Sequence, residues 1–305
     1  ELANTIVGNA NANVLNGGND ALVDVLVGGD GNDTYELGNN LGDLLTETTG
    51  VDTITSTISR SLADFAAVEN LTLLAGALTG VALNGTGNAL ANVITGNENA
   101  NTLNGGVDAL ADTLVGGLGN GVYVINTSTD NITEAIGGGT ADRAQTSVSF
   151  VLAAGDNIEF LETTNAAGTG LLNLTGNEIA QTITGNAGAN ILNVRIDAVV
   201  DTLLGRLANA IYVLTTATDN ITEAIGGGTA DRARASVSFL LAAGDNIEFL
   251  ETTFAAGTGA LNLAGNEIAQ TIIGNAGSNV INGMLGNDIL TGGLGSDFFV
   301  FNTLP

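Results

Sequence analysis

The sequence predicts an all-β protein whose short strands and turns wind into a solenoid. A nine-residue pattern over residues 274–300 occurs three times, with small and polar residues in the first six places and a large apolar residue in the eighth. A longer pattern of about 89 residues repeats on top of it, which is typical of arrays whose repeats pack on their neighbours. Helix is a poor alternative, because apolar residues alternate with polar ones between Gly, Asn and Asp.

Each nine-residue phrase predicts a turn followed by a very short strand. The eighth places of the three phrases in residues 274–300 hold Ile281, Leu290 and Phe299. The phrase at residues 292–300 fits the nonapeptide GGxGxDxUx, in which U is large and apolar. A second phrase far from it, Gly-Gly-Asp-Gly-Asn-Asp-Thr-Tyr-Glu at residues 28–36, matches as closely.

These phrases resemble the RTX (repeats-in-toxin) family, the hemolysin-type calcium-binding repeats of secreted bacterial proteins. The resemblance implies a right-handed parallel β-roll in which Ca²⁺ lies between turns one coil apart, held by backbone carbonyls and the sixth-position Asp. Carried onto this sequence, it implies that Asp33, Asp288 and Asp297 bind calcium. The turn glycines implied beside them are Gly29, Gly31, Gly293 and Gly295.

The residue types suit a hard cation. Calcium takes six to eight oxygen ligands in a flexible cage, and glycines at positive φ allow backbone carbonyls to converge. One phrase per full block has eleven residues, and its last Asp takes the equivalent place: Asp24, Asp112 and Asp201. An ordinary polar turn is the favoured alternative at those three positions.

Other phrases depart from the family pattern at the sixth place. The residues found there are Asn13, Asn92, Asn101, Asn190, Asn279, Gln181, Gln270, Gly121 and Ala210. An amide supplies an oxygen without a charge, so such sites should bind calcium more weakly, and stacked Asn residues can form a hydrogen-bonded ladder instead. Arg206 replaces a glycine, so no metal is expected in the turn at 205–213.

The long repeat divides the chain into copies. Ile-x-Gly-Asn begins at Ile6, Ile94, Ile183 and Ile272, spacings of 88 or 89 residues. We therefore predict repeat units at 1–93, 94–182 and 183–271, with a partial C-terminal unit at 272–305. Residues 1–7 align with later copies but lack the preceding Gly-Asn, which suggests an excerpt of a longer polypeptide.

Each copy continues into a spacer of about 50 residues with alternating, β-branched stretches. Strands are predicted at residues 52–58, 146–151 and 157–161. The spacers should continue the solenoid with wider and less regular coils. The two extra residues of the eleven-residue phrases should not change which side chains of the following strand face inward.

Composition limits the classes of partner. Six basic residues face 32 acidic ones, for a net charge of −26, which argues against nucleic acid and anionic lipid and favours cations. Hydrophobic residues make up 44% of the chain, so an aliphatic core is expected rather than disorder. No apolar run approaches the length of a transmembrane segment.

Catalysis is not expected. The pairs Glu159/Glu162 and Glu248/Glu251 have the residue types of a glycosidase site, but their recurrence in successive copies favours a scaffold role. His, Cys and Lys are absent, and with them the usual bases, thiol nucleophiles and phosphate clamps. We expect neither an enzyme nor a small-molecule substrate.

The function predicted is structural: a calcium-stabilised extracellular rod that serves as a fibre, stalk or surface-layer segment and self-associates. The resemblance implies secretion by a type I system into fluid where calcium is near millimolar. The alternative is a calcium-dependent folding and secretion region of a larger secreted enzyme, toxin or adhesin.

Overall fold

The computed structural model describes residues 2–18, 20, 22–75, 80–223 and 225–301. Within these residues the chain forms 31 strands and no helix, so no helix could cross a membrane. Two compact units are formed by Glu1–Ser147 with Gly155–Ile158 and by Val148–Ala154 with Glu159–Pro305. Residue 1 and residues 302–305 of the predicted terminal copies lie outside the described residues.

The first unit contains fifteen strands: β1 (Thr5–Val7), β2 (Val14–Leu15), β3 (Val25–Val27), β4 (Thr34–Gly38), β5 (Leu44–Thr46), β6 (Thr53–Ser56), β7 (Arg60–Ser61), β8 (Asn70–Leu73), β9 (Asn84–Thr86), β10 (Val93–Thr95), β11 (Thr102–Asn104), β12 (Thr113–Val115), β13 (Val122–Ile125), β14 (Asn131–Thr133) and β15 (Arg143–Thr146).

The second unit contains sixteen strands: β16 (Phe150–Val151), β17 (Phe160–Thr163), β18 (Asn173–Thr175), β19 (Thr182–Thr184), β20 (Ile191–Asn193), β21 (Thr202–Leu204), β22 (Ile211–Leu214), β23 (Asn220–Thr222), β24 (Arg232–Ala235), β25 (Phe239–Leu240), β26 (Phe249–Thr252), β27 (Asn262–Ala264), β28 (Thr271–Ile273), β29 (Val280–Asn282), β30 (Ile289–Thr291) and β31 (Phe298–Val300).

Strands pair in parallel with the strand two places along the chain, so two strands make one coil. In the first unit the pairing orders are β1-β3-β5, β2 to β14 through the even strands, and β7 to β15 through the odd strands. The second unit has β17 to β23, β16 to β30 and β25 to β31, each in steps of two. The predicted all-β parallel solenoid is therefore confirmed.

The coil length follows from the phrase length. Leu263 pairs with Ile281, so the coil between them is two nonapeptides long. Ile94 pairs with Leu114, and the coil between them is longer because it contains an eleven-residue phrase. Both Ile94 and Leu114 are fully buried, so the two extra residues leave the same face of the strand toward the core, as predicted.

The core is a column of aliphatic side chains that face inward from successive coils. In the first unit Ile54, Leu71, Ile94, Leu114 and Ile132 occupy register positions one above another. Each is at most 2% exposed, and burial of such a side chain contributes about 1.5–3 kcal/mol. The hydrophobic column stabilises the stack one coil at a time.

The spacers contain corners that the sequence pattern did not reveal. The strand predicted at 146–151 is wrong, because β15 ends at Thr146 and β16 begins at Phe150, with a bend between them. Ser149 Oγ accepts the backbone N–H of Asn173 at 2.9 Å, as Ser238 Oγ does from Asn262 at 2.8 Å. The alternating Ser residue thus tethers the next coil at a corner instead of extending a strand.

The other two spacer strands are close to their predicted places. The prediction at 52–58 contains β6, whereas the one at 157–161 begins three residues before β17. Thr53 pairs with Asn70 and Asn70 with Val93, so the second of these spacer coils is longer than the first. This irregularity was expected from the sequence.

Candidate metal centres in the turns

The sixth-position aspartates connect successive coils through one carboxylate oxygen. Asp33 Oδ1 accepts the backbone N–H of Asn13 at 2.7 Å, Asp288 Oδ1 that of Gln270 at 2.9 Å, and Asp297 Oδ1 that of Asn279 at 2.9 Å. The aspartates of the eleven-residue phrases do the same: Asp24 from Asn4, Asp112 from Asn92 and Asp201 from Gln181. All six predicted aspartates therefore occupy equivalent places in the turns.

The second oxygen of several aspartates has no hydrogen-bond partner. This holds for Oδ2 of Asp24, Asp33 and Asp201, whose side chains are at most 1% exposed. Asp288 and Asp297 are partly exposed instead. Leaving an ionised oxygen buried without a partner is costly, so the buried Oδ2 atoms of Asp24, Asp33 and Asp201 suit a cation or a proton.

Glycine shapes these turns in two ways. The predicted turn glycines have left-handed backbones, with φ of 102° at Gly29, 115° at Gly31, 99° at Gly293 and 98° at Gly295. The first glycine of a phrase gives room to the carboxylate, because a Cβ on Gly292 would collide with Asp297 Oδ2. Any larger residue at Gly292 would displace that oxygen.

The sixth-position amides form hydrogen bonds within their own phrase, in contrast to a ladder of stacked Asn side chains. Asn279 Oδ1 accepts the backbone N–H of Asn275 at 2.9 Å, and its Nδ2 donates to Asn275 Oδ1 at 3.0 Å. Asn101 and Asn97 repeat both bonds. The second and sixth places face each other across one turn, so these amides pair within a phrase and close it.

A cluster of carboxylates lies beside the predicted ligand Asp33. Oxygens of Asp33, Glu47 and Asp52 all come within 4.8 Å of one another, an arrangement found once in the part of the chain that the structure describes. Asp33 was predicted from the sequence as a calcium ligand, whereas Glu47 and Asp52 were not. Asp52 stands one coil after Asp33, a signal that the spacing of the strands could have given.

The model of the RTX calcium-binding nonapeptide repeat matches four times, at residues 1–35, 23–40, 86–123 and 265–299. The chain carries RTX calcium-binding nonapeptide repeats. Comparisons with curated proteins and with solved structures gave no match.

The RTX matches contain most of the predicted calcium ligands. Asp24 and Asp33 lie in the first match, Asp112 in the third, and Asp288 and Asp297 in the fourth. Asp201 lies outside the matches, although its hydrogen bond and burial equal those of Asp24. The geometry thus extends the RTX-like turn beyond the matched residues.

Burial raises the pKa of several turn carboxyls in this solenoid. The pKa of Asp201 rises to about 7, chiefly through burial and also through the charges of Asp197 and Asp219, while the N–H of Gln181 opposes the rise. Burial likewise raises the pKa of Asp112 to about 6 and that of Asp231 to about 6. When no cation competes, these carboxyls therefore retain a proton at a higher pH than an ordinary aspartate does.

The C-terminal copy of the Glu pair is engaged in scaffold contacts. Glu251 accepts from Arg232 at 3.0 Å and from Arg234 at 2.6 Å, and Arg232 stacks over the Phe249 ring at 4.1 Å. Glu248 accepts the backbone N–H of Asp231 at 2.8 Å. Both carboxylates connect neighbouring coils.

Arg206 lies in the turn where no metal was expected. Its Nε donates to the carbonyl oxygen of Gly185 at 2.9 Å. The positive charge of Arg206 beside this carbonyl repels a cation and so disfavours metal binding there. The absence of a metal from the turn at 205–213 stays a prediction.

Proposed function

We propose that this protein is an extracellular structural protein, a calcium-stabilised RTX solenoid that serves as a fibre, stalk or surface-layer segment. The observation that carries the proposal is that the two oxygens of each buried turn aspartate have different contacts. One oxygen of Asp24, Asp33 or Asp201 ties two coils together, and the other has no partner. A cation in the turns completes the attachment of one coil to the next.

The hydrogen bonds prepare these turns for a hard cation. They hold Oδ1 of each aspartate against the preceding coil and leave Oδ2 available. Bound calcium supplies the positive charge that neutralises these oxygens. Without it, a chain of net charge −26 carries uncompensated buried carboxylates, so the coils hold together less well at low calcium. Sites of millimolar affinity fill in extracellular fluid.

Exposed apolar residues repeated along the chain support self-association. Val107, Leu118 and Ile136 lie on turns of the first unit, and their counterparts one long repeat later lie on turns of the second. Those counterparts are Ile196, Leu207 and Ile225. Ile136 and Ile225 are each 92% exposed. Their recurrence at matching positions of two successive copies is the support for contacts between molecules.

A structural role also fits the use of the acidic pairs. Glu248 and Glu251 use their oxygens for contacts between coils, which supports a scaffold rather than a catalytic role. The RTX repeats equally favour a second candidate, the folding and secretion region of a larger type I-secreted enzyme, toxin or adhesin. A catalytic domain encoded beside these repeats would favour that candidate.

Imaging of the purified chain tests the proposal. Circular dichroism across a calcium titration should show β-structure gained as calcium rises. Electron microscopy at saturating calcium should then show filaments or a lattice that a chelator disperses. A calcium-folded chain that stays monomeric at every concentration would rule out the fibre and favour the secretion region.

A further inference from the structure

Two corresponding turn regions of the long repeat expose the same kind of apolar pair. In the first unit the pair is Leu118 and Ile136, which are 69% and 92% exposed. In the second unit it is Leu207 and Ile225, which are 72% and 92% exposed. The two pairs stand at matching places of successive copies, so each unit presents a leucine and an isoleucine on the same turns.

In the first unit a carboxylate accompanies the apolar pair. A Cβ on Gly117 would lie 3.3 Å from the backbone nitrogen of Glu98, and a Cβ on Gly138 would lie 2.7 Å from the carbonyl oxygen of Gly117. These distances bring the turns of successive coils together at this place. The exposed residues that these turns carry are Glu98, Leu118 and Ile136, which we call the acidic cluster.

In the second unit a guanidinium accompanies the apolar pair. Arg206, Leu207 and Ile225 line one open groove of about 500 Å³, and the rest of its lining is alanine and glycine. Among the described residues that line this groove, Arg206 is the one that carries a charge. We call it the arginine groove. It is a mostly apolar surface that suits an apolar partner with a negative charge.

One nitrogen anchors the guanidinium and the others are available to a partner. Arg206 Nε donates to the carbonyl oxygen of Gly185 at 2.9 Å. In the part of the chain that the structure describes, the terminal nitrogens of Arg206 have no polar partner, and neither has the carboxylate of the exposed Glu98. A guanidinium can bind a carboxylate through two parallel N–H···O bonds, so these two groups match in geometry as well as in sign.

The two regions differ in charge at matching places of the repeat. Glu98 aligns with Ala187, and Gly117 aligns with Arg206. The acidic cluster therefore has a negative charge and the arginine groove a positive one, each beside a leucine and an isoleucine. Opposite charges favour a contact between the two unlike surfaces over a contact of either surface with its own kind.

We propose that the arginine groove binds the acidic cluster of a second copy of this chain. The two Leu-Ile pairs pack against each other, and Arg206 pairs with Glu98. The inference rests on the proposed assembly of this chain and names the contact that assembly uses. Such an interface is heterologous, because it joins two different surfaces. A bound pair still has one free surface of each kind, so growth continues unless a ring closes.

Charge reversal tests the contact at saturating calcium, with assembly followed by light scattering and sedimentation. Arg206→Glu and Glu98→Arg each bring like charges together, so the concentration at which assembly begins should rise on the order of tenfold or more. An equimolar mixture of the two variants should assemble like wild type, because each variant supplies the surface that the other lacks. The double variant Arg206→Glu/Glu98→Arg should also assemble.

Matched controls make the same changes of charge elsewhere. Arg195 is exposed in the second unit outside the groove, and Asp64 is exposed in the first unit. Arg195→Glu and Asp64→Arg should keep wild-type assembly. Circular dichroism at the same calcium concentration shows whether each variant is folded. If a reversed variant loses β-structure, Arg206→Ala and Glu98→Ala, which only remove charge, give the same test with a smaller expected loss.

Three results would overturn the contact. The first is undiminished assembly of folded Arg206→Glu, and the second is a mixture of folded reversed variants that stays unassembled. The third is an equal loss in Arg195→Glu, because net charge alone would then decide assembly. Each of these leaves the fibre in place, whereas a wild-type chain that stays monomeric at every concentration would refute the fibre together with the contact.

Discussion

Asp201 should make the calcium-free protein more stable in mild acid than in mild base. Its side chain is 1% exposed, one oxygen accepts the Gln181 N–H at 2.7 Å, and the other has no partner. Burial, followed by the charges of Asp197 and Asp219, raises its pKa from 3.8 to about 7. The folded state therefore binds this proton more tightly than the unfolded chain does.

The sign and size of the effect follow from proton linkage. A raised carboxyl pKa contributes stability that is fully present below the unfolded pKa and is lost as pH rises through the folded pKa. For Asp201 the window runs from about pH 4 to pH 7. One pKa unit corresponds to about 1.4 kcal/mol, so between pH 5 and pH 8 the loss is on the order of 3 kcal/mol.

The assay is urea unfolding followed by circular dichroism in metal-free buffer at pH 5 and pH 8. Asp201→Asn retains an acceptor for the Gln181 N–H and removes the charge, so its stability should fall less between the two pH values. The exposed Asp64 provides the control, since Asp64→Asn should keep the wild-type pH dependence. Equal pH dependence in wild type and Asp201→Asn would refute the reasoning.

Three further predictions concern the calcium turns, the core and the apolar residues on the turns. A chelator should loosen the partly exposed turns at Asp288 and Asp297 before the Asn-closed coils, which hydrogen exchange would show as earlier loss of protection there; uniform exchange would contradict this. Leu114→Ala should cost about 2–5 kcal/mol in urea unfolding, because the side chain is fully buried between two coils; a cost below about 1 kcal/mol would contradict the packed column. Replacing Ile136 and Ile225 by Ser should reduce assembly seen by light scattering while the circular dichroism spectrum stays unchanged; undiminished assembly would exclude these residues from the contact.

Strand positions in the nonapeptide blocks were predictable because they depend on local chemistry. Glycines and small polar residues form the turn, and alternation decides which side chain faces inward, so Ile281 and Leu114 are buried as expected. The corner at Ser149 was not predictable in this way. An alternating Ser-Val-Ser sequence is typical of a strand, and only the neighbouring coil provides the Asn173 N–H that Ser149 accepts.

By itself, the sequence determined the parallel solenoid, the coil length and the aspartates whose oxygens face the turns, because all three follow from phrases of nine or eleven residues. Tertiary structure decided which carboxylates meet. Glu47 follows Asp33 in an irregular spacer, at a separation that no nonapeptide phrase defines, so its approach depends on the path of the coil and on the Tyr35 hydroxyl. Carboxylates of different coils come close together only when the coils stack, and stacking is a property of the folded chain.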